Sequence, residues 1–95
     1  MIYYVVTRNV YSNGLLVVTD LMGVFTWRSI GENYIQKRLD DLGDTYTIIK
    51  NDKKHPTEIS VYDNTKKMLL KVLEYRITEV YGNNTDENSV IYHLN

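Results

Sequence analysis

This 95-residue chain predicts an α+β fold, an antiparallel sheet of five to six strands with one helix packed on one face. Three observations carry that expectation. The opening IYYVVTRNVYSNGLLVV sets two β-favouring runs on either side of Asn13-Gly14, the strongest short-range hairpin signal, because a type I′ turn needs positive φ at both central residues. Residues 29–42 hold a helical stripe with end signals on both sides. Thr57 to Tyr62 alternates with a period of two, as a half-buried strand does.

In the N-terminal hairpin, Ser12 faces Leu15, and the same register pairs Tyr11 with Leu16 and Val10 with Val17. Asp20-Leu21-Met22-Gly23 offers a second turn, with Asp at the first position of a type I turn and Gly at the last. Residues 2–28 then form a three-stranded meander ending in Val24-Phe25-Thr26-Trp27; without that turn the hairpin runs on as two longer strands. Alternation places Tyr4 with Ile2, Val6 and Val10 on the core side. Tyr3 and Tyr11 share the other side with Val5, Thr7 and Asn9, as a possible aromatic contact face.

Ser29-Ile30-Gly31-Glu32 fits a capping box, so a helix starts at about residue 29. Ile35, Leu39 and Leu42 form its apolar stripe, flanked by Tyr34, and Gly43 stands where a left-handed residue ends a helix. Thr45 to Lys50 favours a strand, and Asn51 to Pro56 reads as a polar loop. Thr57, Ile59 and Val61 face one side of the next strand, with Glu58, Ser60 and Tyr62 on the other. Between 65 and 81 the pattern is ambiguous. A helix would align Leu69, Val72, Leu73, Ile77 and Val80, whereas a strand would alternate Leu73, Tyr75 and Ile77 with Glu74, Arg76 and Thr78. The strand is favoured, since Asp63-Asn64-Thr65-Lys66 makes a plausible hairpin turn and the second half is β-branched and aromatic. Residues 1–82 are thus expected as one domain, and 83–95 as a polar tail with a short edge strand at 89–93.

Composition excludes several functions. The formal net charge of -1 provides no global field for nucleic acid, and the absence of cysteine removes disulfides, thiolate metal sites and a cysteine nucleophile. No basic segment precedes an apolar run of about 7 to 15 residues, so neither export by a signal peptide nor a membrane span is expected. Asn83-Asn84-Thr85 fits the glycosylation acceptor pattern but reads as chance in an Asn-rich tail without a signal peptide. There is no alanine, while Phe, Tyr, Met, Ile, Asn and Lys total thirty-seven residues. That bias suits an AT-rich coding sequence, common in low-GC bacteria and their phages and mobile elements.

Chemistry is poorly represented. His55 lies in a polar loop and His93 near the end, and neither accompanies a nucleophile signature. Asp52, His55 and Glu58 recur every third residue, but Pro56 keeps them off one helix face, so no metal site is expected. The five glycines are isolated turn and cap residues rather than a phosphate loop, and no cofactor is implied. Asp40, Asp41 and Asp44 cluster at the helix C-terminus, where the macrodipole disfavours each by about 0.3–1 kcal/mol. Contacts with Lys37 and Arg38 would be the bland account; docking into a basic groove, as a phosphate mimic docks, is the sharper one.

These features point to a small non-enzymatic binding protein of phage or mobile-element type, in the cytoplasm of a bacterial host cell. It would inhibit a host nuclease or defence complex by protein–protein contact, in the manner of anti-CRISPR proteins, an analogy of class only. The alternative is a nucleic-acid-binding or regulatory module, with basic loops at Lys50, Lys53, Lys54 and at Lys66, Lys67, Lys71 flanking a face that carries Tyr46 or Tyr62. A homodimer formed through exposed sheet edges is the third possibility.

Overall fold

The computed structural model describes residues 1–65 and 69–82. In chain order these form β1 (Ile2–Ser12), β2 (Leu15–Phe25), α1 (Arg28–Asp40), β3 (Tyr46–Lys50), β4 (Glu58–Asp63) and β5 (Leu70–Tyr81). The strands make one antiparallel sheet in the order β2-β1-β5-β4-β3, with the helix on one face. The α+β architecture with an N-terminal hairpin holds. So does the strand reading of the ambiguous segment, whose β-branched and aromatic second half pairs along β1 and β4. The tail, with its candidate strand at 89–93, and the acceptor at Asn83 lie outside the described residues.

The hairpin turn is what Asn13-Gly14 demands, with φ of 53° and 79°. Ser12 opposes Leu15 and Tyr11 opposes Leu16, but Val10 opposes Val18 rather than Val17. A β-bulge at Val17 inserts one residue and shifts the register. A second bulge leaves Met22 without an opposite residue, and it packs against the core. The meander does not form: residues 20–23 continue as strand, and Asp20 is held across the ladder by Arg8, Nη2 to Oδ2 at 2.8 Å. Gly23 is therefore a strand glycine, and a Cβ there would lie 2.8 Å from the Phe25 ring.

The helix also departs from its expected start. It runs from Arg28 to Asp40, Trp27 occupies the N-cap with an extended backbone, and no side chain caps it. Ser29 thus falls inside the first turn. The Glu32 carboxylate is engaged by Arg28 Nε at 3.0 Å, so the capping box is not made. Arg28 also donates to the Pro56 carbonyl at 2.9 Å and approaches Glu79 at 3.5 Å, tying the helix start to the loop before β4 and to β5. At the far end Leu42 N–H donates to the Leu39 carbonyl, and Gly43 takes φ of 79°.

One face of the sheet meets the helix. Val6, Ile35, Leu39, Ile59, Val61, Tyr75 and Ile77 form the buried cluster, with Tyr4, Phe25, Tyr34 and Tyr46 packed around it. Gly31 lets α1 approach: a Cβ there would stand 3.4 Å from the Phe25 ring and 3.5 Å from Val6. Among the described residues no helix is long and apolar enough to cross a membrane.

These two close approaches differ in their tolerance. Gly31→Ala is expected to stay within about 1 kcal/mol of the parent, since helix propensity offsets the tight contact. Gly23→Ala and Gly31→Leu should each lose about 1–3 kcal/mol by forcing the Phe25 ring aside. Urea unfolding midpoints of the three variants check this.

Candidate interaction surfaces

The acidic helix end is fully presented to solvent. Asp40 and Asp44 are exposed, Asp41 is the C-cap residue, and none of the three takes part in an ion pair among the described residues. Lys37 and Arg38 do not neutralise them. Arg38 instead folds back onto Tyr34, 4.6 Å from the ring centroid with a 3.2 Å hydrogen bond to the hydroxyl. The Asp40 carboxylate accepts only from the Gln36 amide, at 2.8 Å.

The face opposite the helix carries a second constellation that sequence reasoning missed. Val72 on β5 is the extra residue of a bulge against β4, so that Val72 and Leu73 both pack towards the core. Lys71 consequently emerges opposite Tyr62, on the same face as Glu74. Glu74 is 2% exposed although no helix covers it. Its Oε1 accepts from Asn9 Nδ2 at 3.0 Å and Arg76 Nε at 2.7 Å, and its Oε2 accepts from Lys71 Nζ at 2.7 Å. Thr19 in turn donates to Asn9 Oδ1, and Arg76 reaches Glu58 at 3.5 Å across the ladder.

Burial pushes the Glu74 carboxyl up, but hydrogen bonds from Lys71, Arg76 and Asn9 outweigh that effect and hold it at about 2. The same hydrogen bonds raise the pKa of Lys71 and of Arg76, against their own desolvation. Two cations and two carboxylates therefore compensate one another on this face. The alternation of Glu74 and Arg76 signalled a polar face, but the bulge that adds Lys71 leaves no mark in the sequence.

The tyrosines separate. Tyr11 lies under the Lys71 ammonium, 5.4 Å from its ring centroid. Tyr3 sits eight residues along the same strand, about 26 Å away, where it packs beside Gly82. They share a face but not a patch. Tyr46 and Tyr62 do not share even that: Tyr46 packs on the core side, whereas Tyr62 stands opposite Lys71.

Of the two basic loops, only the first and Lys71 of the second fall among the described residues. Lys50 ends β3 on the helix side, 3.5 Å from Gln36, and with Lys53 lines a small polar cleft of about 130 Å³ beside α1. Lys71 belongs to the other face, Lys54 lies in the exposed loop, and Lys66 and Lys67 lie outside the described residues. Within the first loop, the Asp52 carboxylate accepts from the His55 and Lys54 amides, which lowers its pKa, while Glu58 turns towards Arg76. An open hollow of about 500 Å³ lies at the other end of the sheet, lined by Met1, Ile2, Tyr4, Thr26 and Trp27.

No family model matches this chain, and no curated protein or solved structure matches it significantly.

The Glu74 network yields a pH prediction. Because its folded pKa lies below the ordinary value of 4.5, its contribution is fully present above about pH 4.5 and is lost as the pH falls towards about 2. Glu74→Gln should cost about 1–3 kcal/mol at neutral pH and make the decline in acid shallower than in the parent. Urea midpoints measured between about pH 6 and about pH 2.5 test both parts.

Proposed function

We propose that this chain is a small non-enzymatic binding protein that works through protein–protein contact, with Asp40, Asp41 and Asp44 as its docking element. The observation that carries this reading is the set of three carboxylates held at a helix C-terminus without an ionic partner among the described residues, although Lys37 and Arg38 lie within reach in sequence. Negative charge there is unfavourable to the helix, so its placement is accounted for by a basic surface elsewhere. A host nuclease or defence complex has such a surface by necessity, since it holds a phosphate backbone. The AT-rich compositional bias supports a phage or mobile-element origin and, with it, an inhibitory role in the host cytoplasm. That part of the reading rests on association and analogy.

A second reading is nucleic-acid binding through Tyr11, Tyr62 and Lys71, three residues that share the open face. Its weakness is electrostatic, since Lys71 and Arg76 are already engaged by Glu74. Little positive potential is left to release counterions from a backbone.

Affinity purification from a bacterial host, with the triple reversal Asp40→Lys, Asp41→Lys and Asp44→Lys as the paired bait, distinguishes the two. The expected result is a protein retained by the parent, eluted by salt and lost from the reversed variant, whose melting temperature stays within about 3 °C of the parent. Equal retention by both baits removes the acidic end from consideration. A single-stranded oligonucleotide whose affinity falls steeply with salt, and falls again on Lys71→Ala, would favour the second reading.

A further inference from the structure

We propose that the outer edge of β2 is a self-pairing interface, at which two copies of this chain join antiparallel about a two-fold axis and merge their sheets. Among the described residues the sheet has two unpaired edges, β2 and β3, and they are defended very differently. β3 is five residues long and ends in Lys50, a short edge with a terminal charge. β2 is eleven residues long, and Leu15, Leu16, Val17, Val18 and Leu21 are 72, 56, 64, 42 and 42% exposed.

No charged side chain interrupts Leu15–Thr19, and the one carboxylate beyond it, Asp20, is held by Arg8. The bulges at Val17 and Met22 do not remove the apolar surface, since Val17 remains among the most exposed residues of the strand. Among the described residues no strand pairs with this edge, which carries outward backbone N–H and C=O groups between two rows of aliphatic side chains. Water satisfies the first and not the second.

A second copy fits this edge better than a foreign peptide does. Peptides that add a strand are selected by pockets for their alternate side chains. Neither described hollow borders the exposed stretch of β2: one lies beside Trp27 and Met1, the other beside Lys50 and Gln36. A neutral aliphatic strand meeting its own kind about a two-fold axis needs no pocket, brings no like charges together and closes after two copies.

Five such side chains can bury at most on the order of 400 Å² of apolar surface per copy. A standard interface contributes about 800 Å² per partner, so the self-association should be weak, with a dissociation constant in roughly the micromolar range.

Sedimentation velocity from about 5 µM to about 1 mM tests the proposal. The expected result is a shift from monomer to a plateau at dimer in the parent, and monomer throughout for Val17→Lys with an unchanged thermal melt. Ile49→Lys, on the opposite edge, should dimerise as the parent does. As a measurement independent of added charge, single cysteines at positions 17 to 20 of this cysteine-free chain should give disulfide-linked dimers on mild oxidation. A parent that stays monomeric at about 1 mM, a dimer that survives Val17→Lys, a dimer lost instead in Ile49→Lys, or growth without a plateau would each overturn it.

Discussion

One helix has to serve a sheet much larger than itself. A thirteen-residue helix is about 20 Å long, whereas strands of eleven and twelve residues run about 36–40 Å. Ile35 and Leu39 therefore close the core only over its middle, where Val6, Ile77, Ile59 and Val61 converge. Everything outside that footprint has had to find another solution to exposure. Arg28 is part of the same economy of contact: one guanidinium joins the helix start, the Pro56 carbonyl and Glu79.

On the face the helix does not cover, the solution is a charge ladder. Glu74 is desolvated at the centre of the sheet, and Lys71, Arg76 and Asn9 return the hydrogen bonds it loses to water. Such a network contributes modestly to net stability because desolvation offsets much of the attraction. Its stronger effect is on register: a slip of one residue between β5 and β1 would carry Glu74 to the helix side and leave it without these partners.

The legible parts of the fold were those written in local chemistry. Asn13-Gly14 announced its turn through the positive φ it requires, Ile35 and Leu39 announced the helix by spacing, and Ile59 and Val61 announced a core-facing strand by alternation. Bulges were not legible, because one unpaired residue at Val17, Met22 or Val72 changes a count between strands rather than any property of the residue itself. The capping box at Ser29 is not made because the helix begins earlier, with Trp27 at the N-cap, and the Glu32 carboxylate pairs with Arg28. Among the candidate residues, the exposure of Asp40 and Asp44 followed from composition, whereas the association of Tyr11 and Tyr62 with Lys71 needed the bulge and the strand order together.

The strand order has a temporal side. β1 is adjacent in space to β5, so contacts such as Asn9 with Glu74 close a separation of 65 residues. The Asn13-Gly14 hairpin is local and forms on the microsecond scale, but the core around Val6 cannot close until Ile77 arrives from the far end of the chain. Topologies dominated by such pairings fold in milliseconds to seconds. For that interval the hairpin waits with both its edges open, β1 for its partner in the same molecule and β2 for whatever it meets, and the race between the two is decided by how quickly the last strand comes home.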